Sequence, residues 1–394
     1  MFSTLSKQTI WGTRILFLVT CFFSIYLFRG NASSLIQKFI YICAPFALLY
    51  SFLKYGYKQP LLSLSSFLKP WSPWIASTIL FIFAHGSSGL SHYFHLILIF
   101  CLLFLGLFHL KIERGLVATI LSLNVLILSL VSIIVIMLMG LQTTIIEVNR
   151  NVLIPELAAL SVVNFIIYLT NRNQLKSNYL RYLLVLSVIV NIISVVLSEV
   201  RTAILVYFSI IPVLFVLDRS LLKKYFPLLA IAGIGLIGLF FLTGRMQEGI
   251  QNLLQYQTGQ SDSSWGIRIE LWKQGTLAFK ENPIFGWGLS PFQKTLEAGF
   301  SFPVNFNAQH YHNDFVNLLV SGGLISAFGW VATNVLLLWC SKNDVPRAML
   351  VIAFLAIGLT ENSWPGNYSA CFTFMVSWLL LVLSDPRKKN TLLI

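Results

Sequence analysis

The chain has 394 residues, of which 57% are hydrophobic and only 10% carry a charge. Because a soluble domain has about 25% charged residues, this composition excludes an ordinary water-soluble domain and predicts a protein embedded in lipid. The net charge of +13 would fit a nucleic-acid partner, but the placement of the basic residues, described below, argues against one.

Apolar segments recur along the whole chain, and most approach the length of about 20 residues that spans a bilayer. We therefore predict an all-α, polytopic integral membrane protein with about twelve transmembrane helices. The third, eighth, eleventh and twelfth segments are short and are expected to be tilted, broken or extended. All five cysteines fall inside or beside these segments, so the sequence offers no disulfide framework and no zinc motif. The segments are Trp11–Phe28, Leu35–Leu53, Trp71–Phe83, His92–Leu110, Leu116–Met139, Val152–Thr170, Tyr179–Leu197, Ala203–Val216, Phe226–Leu242, Phe315–Trp339, Ala348–Thr360 and Cys371–Leu383.

The basic residues give the predicted orientation. With a cytoplasmic N-terminus, 18 of the 27 Lys and Arg residues lie in the connections on the cytoplasmic side, and only four lie in the short connections opposite. The positive-inside rule then places both termini in the cytoplasm and one long loop on the outer side. The predicted organisation is helices 1–9 in residues 1–242, the outer loop in residues 243–314, and helices 10–12 with a cytoplasmic tail in residues 315–394.

Arg201 lies where hydropathy does not favour a charge, at the junction of two apolar segments with almost no loop around it. Ionisable groups at membrane depth are costly and usually face a protein interior or a wet cavity. The alternative is a snorkelling interfacial arginine that is paired with Glu199. We favour the functional interpretation.

The long outer loop contains a helical pattern that runs from Ser264 to Phe279 and ends at Asn282-Pro283. We expect an amphipathic helix lying on the outer leaflet. On it, Arg268 would either be solvated or point at a lipid phosphate. The tryptophans of this loop are expected to anchor it at the membrane interface; they are Trp265, Trp272 and Trp287.

Two of the six histidines, His310 and His312, stand directly before the apolar segment that begins at Phe315. Asn313 or Asp314 would cap the helix that follows. The positive end of its dipole would favour a neutral imidazole at His312, which could then accept a proton as a general base. A plain helix cap with two interfacial histidines is the alternative, and a metal site lacks a third ligand.

Several short motifs follow one another in the second half of the chain: Arg201-Thr202-Ala203, Arg268 with Trp272, Asn282-Pro283, Gly286 and Gly288, His310-x-His312-Asn313, and Gly358-Leu359-Thr360-Glu361. Together they resemble the O-antigen ligase and polymerase superfamily. The single large outer loop is more similar to the ligase branch. The resemblance implies a metal-independent, inverting glycosyltransferase of the bacterial inner membrane, with its active site on a periplasmic loop that carries amphipathic helices. It implies a donor glycan on undecaprenyl pyrophosphate and a sugar hydroxyl of lipid A-core as acceptor, in lipopolysaccharide biosynthesis.

Breaking a sugar–pyrophosphate bond requires cationic stabilisation of the leaving group and a base for the attacking hydroxyl. We therefore expect His312 to be the base and His310 to orient or bind the acceptor. We expect no metal and no cofactor, because the first outer loop, Arg29–Ser34, has no carboxylate and the chain has no Asp-x-Asp. The remaining predicted site residues are Arg201, Arg268 and Arg245 on the pyrophosphate, and Asp314 and Glu361 in support.

Three other functions remain open from the sequence. An O-antigen polymerase would use the same donor with a second lipid-linked glycan as acceptor, and a related ligase would modify protein. A polysaccharide transporter or flippase would need ionisable residues at mid-depth in several helices. The helix centres are nearly free of charge, since Lys38 and Glu156 both lie close to the outer end, so a transporter is disfavoured.

Overall fold

The computed structural model describes residues 58–86, 112–140, 148–171, 178–242, 244–257, 264–300, 310–361 and 368–384, with isolated positions near residues 49–56, 101–105 and 144–145. The first, second and fourth predicted spans lie outside the described residues, apart from those positions. The described part consists of helices joined by turns and short irregular segments, with one pair of two-residue strands, β1 (Thr144–Ile145) and β2 (Val148–Asn149).

The described membrane helices agree with the apolar pattern. Five are long and apolar enough to cross a bilayer, a bent pair at 219–239 could supply a sixth, and three apolar helices are shorter. The total of twelve spans stays a prediction. The membrane helices are α1 (Lys58–Leu68), α2 (Ser72–His85), α3 (Arg114–Met139), α4 (Arg150–Asn171), α5 (Asn178–Ser198), α6 (Arg201–Phe208), α7 (Ile210–Leu217), α8 (Arg219–Leu242), α12 (Asp314–Ser341), α13 (Val345–Gly358) and α14 (Tyr368–Leu383), with α1 and α2 forming one span through a 3-10 turn at Lys69–Trp71.

Helix α4 is the centre of the bundle, because α3, α5, α6 and α13 all pack against it. Its middle turns, from Leu157 to Ile167, are almost completely buried. Polar side chains join the surrounding helices: the Tyr207 hydroxyl donates to Asn191 at 2.6 Å, and the Asn191 amide donates to Ser129 at 2.9 Å. Such bonds hold helices together where burial of apolar surface gives little preference for protein over lipid.

The eighth predicted span, Ala203–Val216, is divided into α6 and α7 at Ser209. Pro212 in α7 has no N–H with which to continue the helical ladder into the preceding turn. The Ser209 hydroxyl instead donates to the Val206 carbonyl at 2.5 Å. Together the two helices cover Arg201–Leu217, which is shorter than the candidate spans.

Helix α12 is also broken, at Gly323, whose φ of 62° and ψ of −156° lie outside the helical region. The loop segment Pro283–Gly288 binds the backbone groups around the break. Trp287 N–H donates to the Val320 carbonyl at 2.8 Å, Gly288 N–H donates to the Ser321 carbonyl at 2.7 Å, and Leu324 N–H donates to the Pro283 carbonyl at 2.8 Å. The backbone of this loop segment therefore satisfies groups that a broken membrane helix would otherwise leave without partners.

The loop between α8 and α12 contains the helices α9 (Arg245–Gln257), α10 (Ser264–Glu281) and α11 (Pro291–Glu297). It has its own small core, in which Leu271, Phe292 and Tyr311 are buried. The helix predicted from Ser264 is confirmed, and Pro283 follows its end. The tryptophans were predicted only as interface anchors. In the structure, the indole N–H groups of Trp272 and Trp287 donate to the backbone carbonyls of Tyr311 and Ala278 within this loop.

The ends of α5, α6, α12 and α13 that carry Ser198, Arg201, Asp314 and Gly358 meet, and we call this the site end of the bundle. At the far ends of α3 and α13, Asp344 contacts Arg114 at 2.6 Å and Arg347 at 2.9 Å. All three side chains are buried, so the Arg114–Asp344 ion pair fixes α3 to α13 well away from the site end.

Candidate active site

Glu361 joins two of the predicted site residues. It lies just beyond α13, and its side chain is only 3% exposed. Arg268 of α10 donates from Nη2 to Oε1 of Glu361, while Nδ1 of His312 lies 3.1 Å from Oε2. Three segments that are far apart in the chain therefore meet at one buried carboxylate.

The contact with Glu361 determines which nitrogen of His312 can accept a proton. A carboxylate only accepts hydrogen bonds, so Nδ1 of His312 carries the hydrogen. In the neutral imidazole, the lone pair that can accept a proton then lies on Nε2. A carboxylate that holds an imidazole in this tautomer is the arrangement that prepares histidine to act as a base.

His310 is held in the opposite tautomer. Its Nδ1 accepts the backbone N–H of His312 at 3.1 Å, so Nε2 carries the hydrogen when the ring is neutral. Burial lowers the pKa of His310 to about 4; His312 and Arg268 add to this effect, and Glu361 opposes it. The two rings lie 4.2 Å apart between centroids. At neutral pH, His310 is therefore a hydrogen-bond donor through Nε2.

The backbone of His312 has a φ of 50°, in the left-handed region that costs a non-glycine residue about 1–2 kcal/mol. Neighbouring contacts hold it there. The Trp272 indole donates to the Tyr311 carbonyl at 2.9 Å, and the Tyr311 hydroxyl contacts Thr295 at 2.8 Å. Such strain persists only where the surroundings over-determine the conformation, so the histidine segment is rigidly placed.

Asn313 confirms the predicted cap of α12, since its side chain accepts the Val316 N–H at 3.0 Å. The same side chain donates to the Leu359 carbonyl at 2.9 Å, which fixes the start of α12 to the end of α13. Asp314 is 1% exposed, and its carboxylate packs against Gly358, where a Cβ would lie 2.4 Å from Oδ2. Asp314 is therefore part of the packing beneath the histidines.

Arg201 reaches the same region from α6. Its neighbour Thr202 makes a buried hydroxyl–hydroxyl bond of 2.7 Å with Thr360, which precedes Glu361 in the chain. Nη2 of Arg201 lies 3.3 Å from Oε2 of Glu248 on α9. The structure thus brings Arg201, Arg268, His310, His312 and Glu361 to one end of the bundle. Arg245 is the first residue of α9, and its side chain lies outside the described residues.

Sequence reasoning missed several contacts at this end. Glu248 carries no motif, and its only signal is an acidic position in the first turn of α9. His85, at the end of α2, donates from Nε2 to the Phe285 carbonyl at 2.7 Å. The third predicted span, Trp71–Phe83, ends before this residue. Among the residues that the structure describes, no three His, Cys, Asp or Glu side chains are grouped as metal ligands.

Residues 183–331 match a family model described as O-antigen ligase. This match supports membership of the O-antigen ligase superfamily. The matched segment contains Arg201, Arg268, His310 and His312, whereas Glu361 lies after it. The family indicates an activity of the ligase or polymerase type in a multi-pass membrane protein. No curated protein matches the chain.

Proposed function

We propose that this protein is an O-antigen ligase, which transfers a glycan from undecaprenyl pyrophosphate to a sugar hydroxyl of lipid A-core at the periplasmic face of the bacterial inner membrane. The observation that carries the proposal is Glu361, which holds Arg268 and His312 at the same time. A base and a phosphate-binding cation are thereby placed side by side, as glycosyl transfer from a pyrophosphate requires.

In the proposed reaction, the acceptor hydroxyl oxygen attacks the anomeric carbon from the face opposite the pyrophosphate. The bond from that carbon to the phosphate oxygen breaks, its electron pair leaves with the polyprenyl pyrophosphate, and the anomeric configuration inverts. The hydroxyl proton passes to Nε2 of His312. The imidazolium that forms is stabilised by Glu361, and it returns its proton to solvent.

The other residues have matching roles in this proposal. Arg268 and Arg201 stabilise the departing pyrophosphate, for which the planar guanidinium is geometrically suited. His310, neutral and donating from Nε2, orients the acceptor sugar. Because its Nδ1 already accepts the backbone N–H of His312, His310 has no free lone pair with which to act as the base. Arginine charge takes the place of a divalent cation, so chelators should leave transfer intact.

A reconstituted transfer assay with His312→Ala tests the base. General-base loss lowers kcat by about 100- to 10,000-fold, while binding of a lipid-linked donor should persist. Arg201→Lys and Arg268→Lys keep the charge and lose the planar fork, so they should weaken donor binding. His85→Ala is the matched control, because this histidine lies at the same end of the bundle and contacts a carbonyl of the loop. If correctly inserted His312→Ala protein transfers glycan at the wild-type rate, His312 is only part of a helix cap.

A deletion strain distinguishes the ligase from the polymerase. Loss of the whole lipopolysaccharide ladder, with an intact core and accumulated lipid-linked polymer, is expected for a ligase. A core that bears a single repeat would instead identify a polymerase, with a second lipid-linked glycan as acceptor.

A further inference from the structure

The two site arginines are neutralised by carboxylates in different environments. Arg268 contacts Glu361, and these side chains are 18% and 3% exposed. Arg201 contacts Glu248 at 3.3 Å, and these side chains are 27% and 45% exposed. The buried carboxylate also holds His312, whereas Glu248 lies on a helix of the outer loop. In the Arg201–Glu248 ion pair, another anion can therefore replace the carboxylate at a small cost in free energy.

Helix α9 covers the Arg201 guanidinium beyond this ion pair. Gly249 follows Glu248, and a Cβ at Gly249 would lie 3.5 Å from both Cζ and Nη1 of Arg201. The helix begins after Gly244, whose φ of 74° is readily adopted only by glycine. Glu248 N–H donates to the Gly244 carbonyl at 2.9 Å. The first turn of α9 thus rests on the guanidinium that a phosphate would have to reach.

We propose that Glu248 occupies the phosphate-binding position on Arg201 in the absence of donor, and that the donor's pyrophosphate displaces it. This inference rests on the proposed function, because it takes Arg201 as a pyrophosphate ligand. A carboxylate and a pyrophosphate cannot share one guanidinium without repulsion between like charges. Binding therefore requires Glu248 to withdraw, and Glu248 returns to Arg201 as the product leaves.

The strengths of the two interactions give the exchange its direction. A partly exposed ion pair such as Arg201–Glu248 is worth about a two- to fivefold factor in an equilibrium. An arginine–phosphate contact with two parallel hydrogen bonds is stronger and more specific in geometry. The pyrophosphate of the donor therefore displaces Glu248 from Arg201. After transfer, the returning carboxylate assists release of the polyprenyl pyrophosphate.

The experiment measures binding of farnesyl pyrophosphate, a short polyprenyl pyrophosphate, to the full chain in nanodiscs. Glu248→Gln removes the competing charge and keeps the side-chain size, so the Kd should fall about two- to fivefold. In transfer assays the donor KM should fall while kcat also falls, because product leaves more slowly. In an Arg201→Gln background, Glu248→Gln should have no effect on the Kd.

Glu297→Gln is the matched control, since it removes the same charge from an exposed position of α11 in the same loop, where Glu297 accepts a hydrogen bond from Gln293 at 3.0 Å. Its Kd should equal that of the wild type. An unchanged or higher Kd for Glu248→Gln overturns the exchange, the higher value identifying Glu248 as a residue that positions Arg201. Glu248→Asp, which shortens the side chain, provides the same readout if the first variant does not fold. Failure of wild-type protein to bind farnesyl pyrophosphate would instead contradict the proposed donor site.

Discussion

Replacing Glu361 by glutamine should separate catalysis from donor binding. The variant keeps the size of the side chain but loses the charge that Arg268 and His312 share. Arg268 can only donate, so it takes the single oxygen of the new amide, and the NH2 group then faces Nδ1 of His312, to which it can only donate. The imidazole would then carry its hydrogen on Nε2, where the proposed base needs a lone pair.

The magnitude follows from comparable carboxylate–imidazole pairs. An amide in place of the carboxylate that orients a catalytic histidine costs about 10⁴-fold in kcat through the wrong tautomer. For Glu361→Gln we therefore expect kcat to fall by about 100- to 10,000-fold. Donor KM should not rise, because Arg268 loses a competing carboxylate and remains able to bind phosphate.

The same change should reduce stability. Removing one partner of a fully buried ion pair costs about 3–5 kcal/mol. Arg268 is 18% exposed, so solvent screens part of the loss, and about 1–3 kcal/mol is the expected decrease. Thermal unfolding in detergent measures it, and transfer is assayed well below the melting temperature.

The assay is transfer from a lipid-linked glycan by reconstituted protein, with Glu297→Gln as a control for the loss of one negative charge. A folded Glu361→Gln protein with kcat within about threefold of the wild type would refute the tautomer argument, because general-base loss is expected to cost at least about 100-fold. A rise in donor KM with unchanged kcat would place Glu361 in donor binding alone.

Three further predictions concern folding and topology. Gly286→Ala should destabilise the protein by about 2–4 kcal/mol, because φ at Gly286 is +68° and a Cβ there would lie 2.5 Å from the backbone of α12. Gly235→Ala is the control, because a Cβ at Gly235 would have no atom within 4 Å, and it should be neutral or stabilising. Thermal unfolding measures both variants. The folded-state pKa of His310, about 4, lies below its ordinary value, so the unfolded chain binds the proton more readily and stability should fall as the pH drops from about 6.5 towards 4. His310→Gln should reduce the loss between pH 7.5 and pH 5 by on the order of 1–2 kcal/mol, and equal losses would contradict the shift. A reporter that is active only outside the cytoplasm should give a signal when fused at Gln260 and none at Lys223, and silence at Gln260 would overturn the orientation.

The sequence predicted the parts of the site that depend on local pattern. Arg201 stands out because it interrupts an apolar stretch, and the histidines stand out because they precede a helix that Asn313 caps. Glu361 was recognised only through a motif resemblance, since nothing in its local sequence indicates that it contacts both Arg268 and His312. Contacts across 93 and 49 positions depend on how helices pack.

Other features could not be predicted because their causes are tertiary. Glu248 is an ordinary acidic position on an amphipathic helix, and its importance arises only from the approach of Arg201 across 47 positions. The tenth predicted span ran without interruption through Gly322-Gly323. A glycine pair permits a break, but the break forms here because the backbone of Pro283–Gly288 supplies replacement hydrogen bonds.

The hydrogen bonds between the broken helix α12 and the Pro283–Gly288 segment affect where the site lies relative to the lipid. The loop backbone is hydrogen-bonded to the membrane helix itself, so the position of α10 relative to α12 is set by protein geometry. A bilayer that becomes thicker or thinner would change the tilt of the spans and the lipid around them. The arginine on α10 and the histidines before α12 would move together, and their spacing would stay constant while the membrane around them varied.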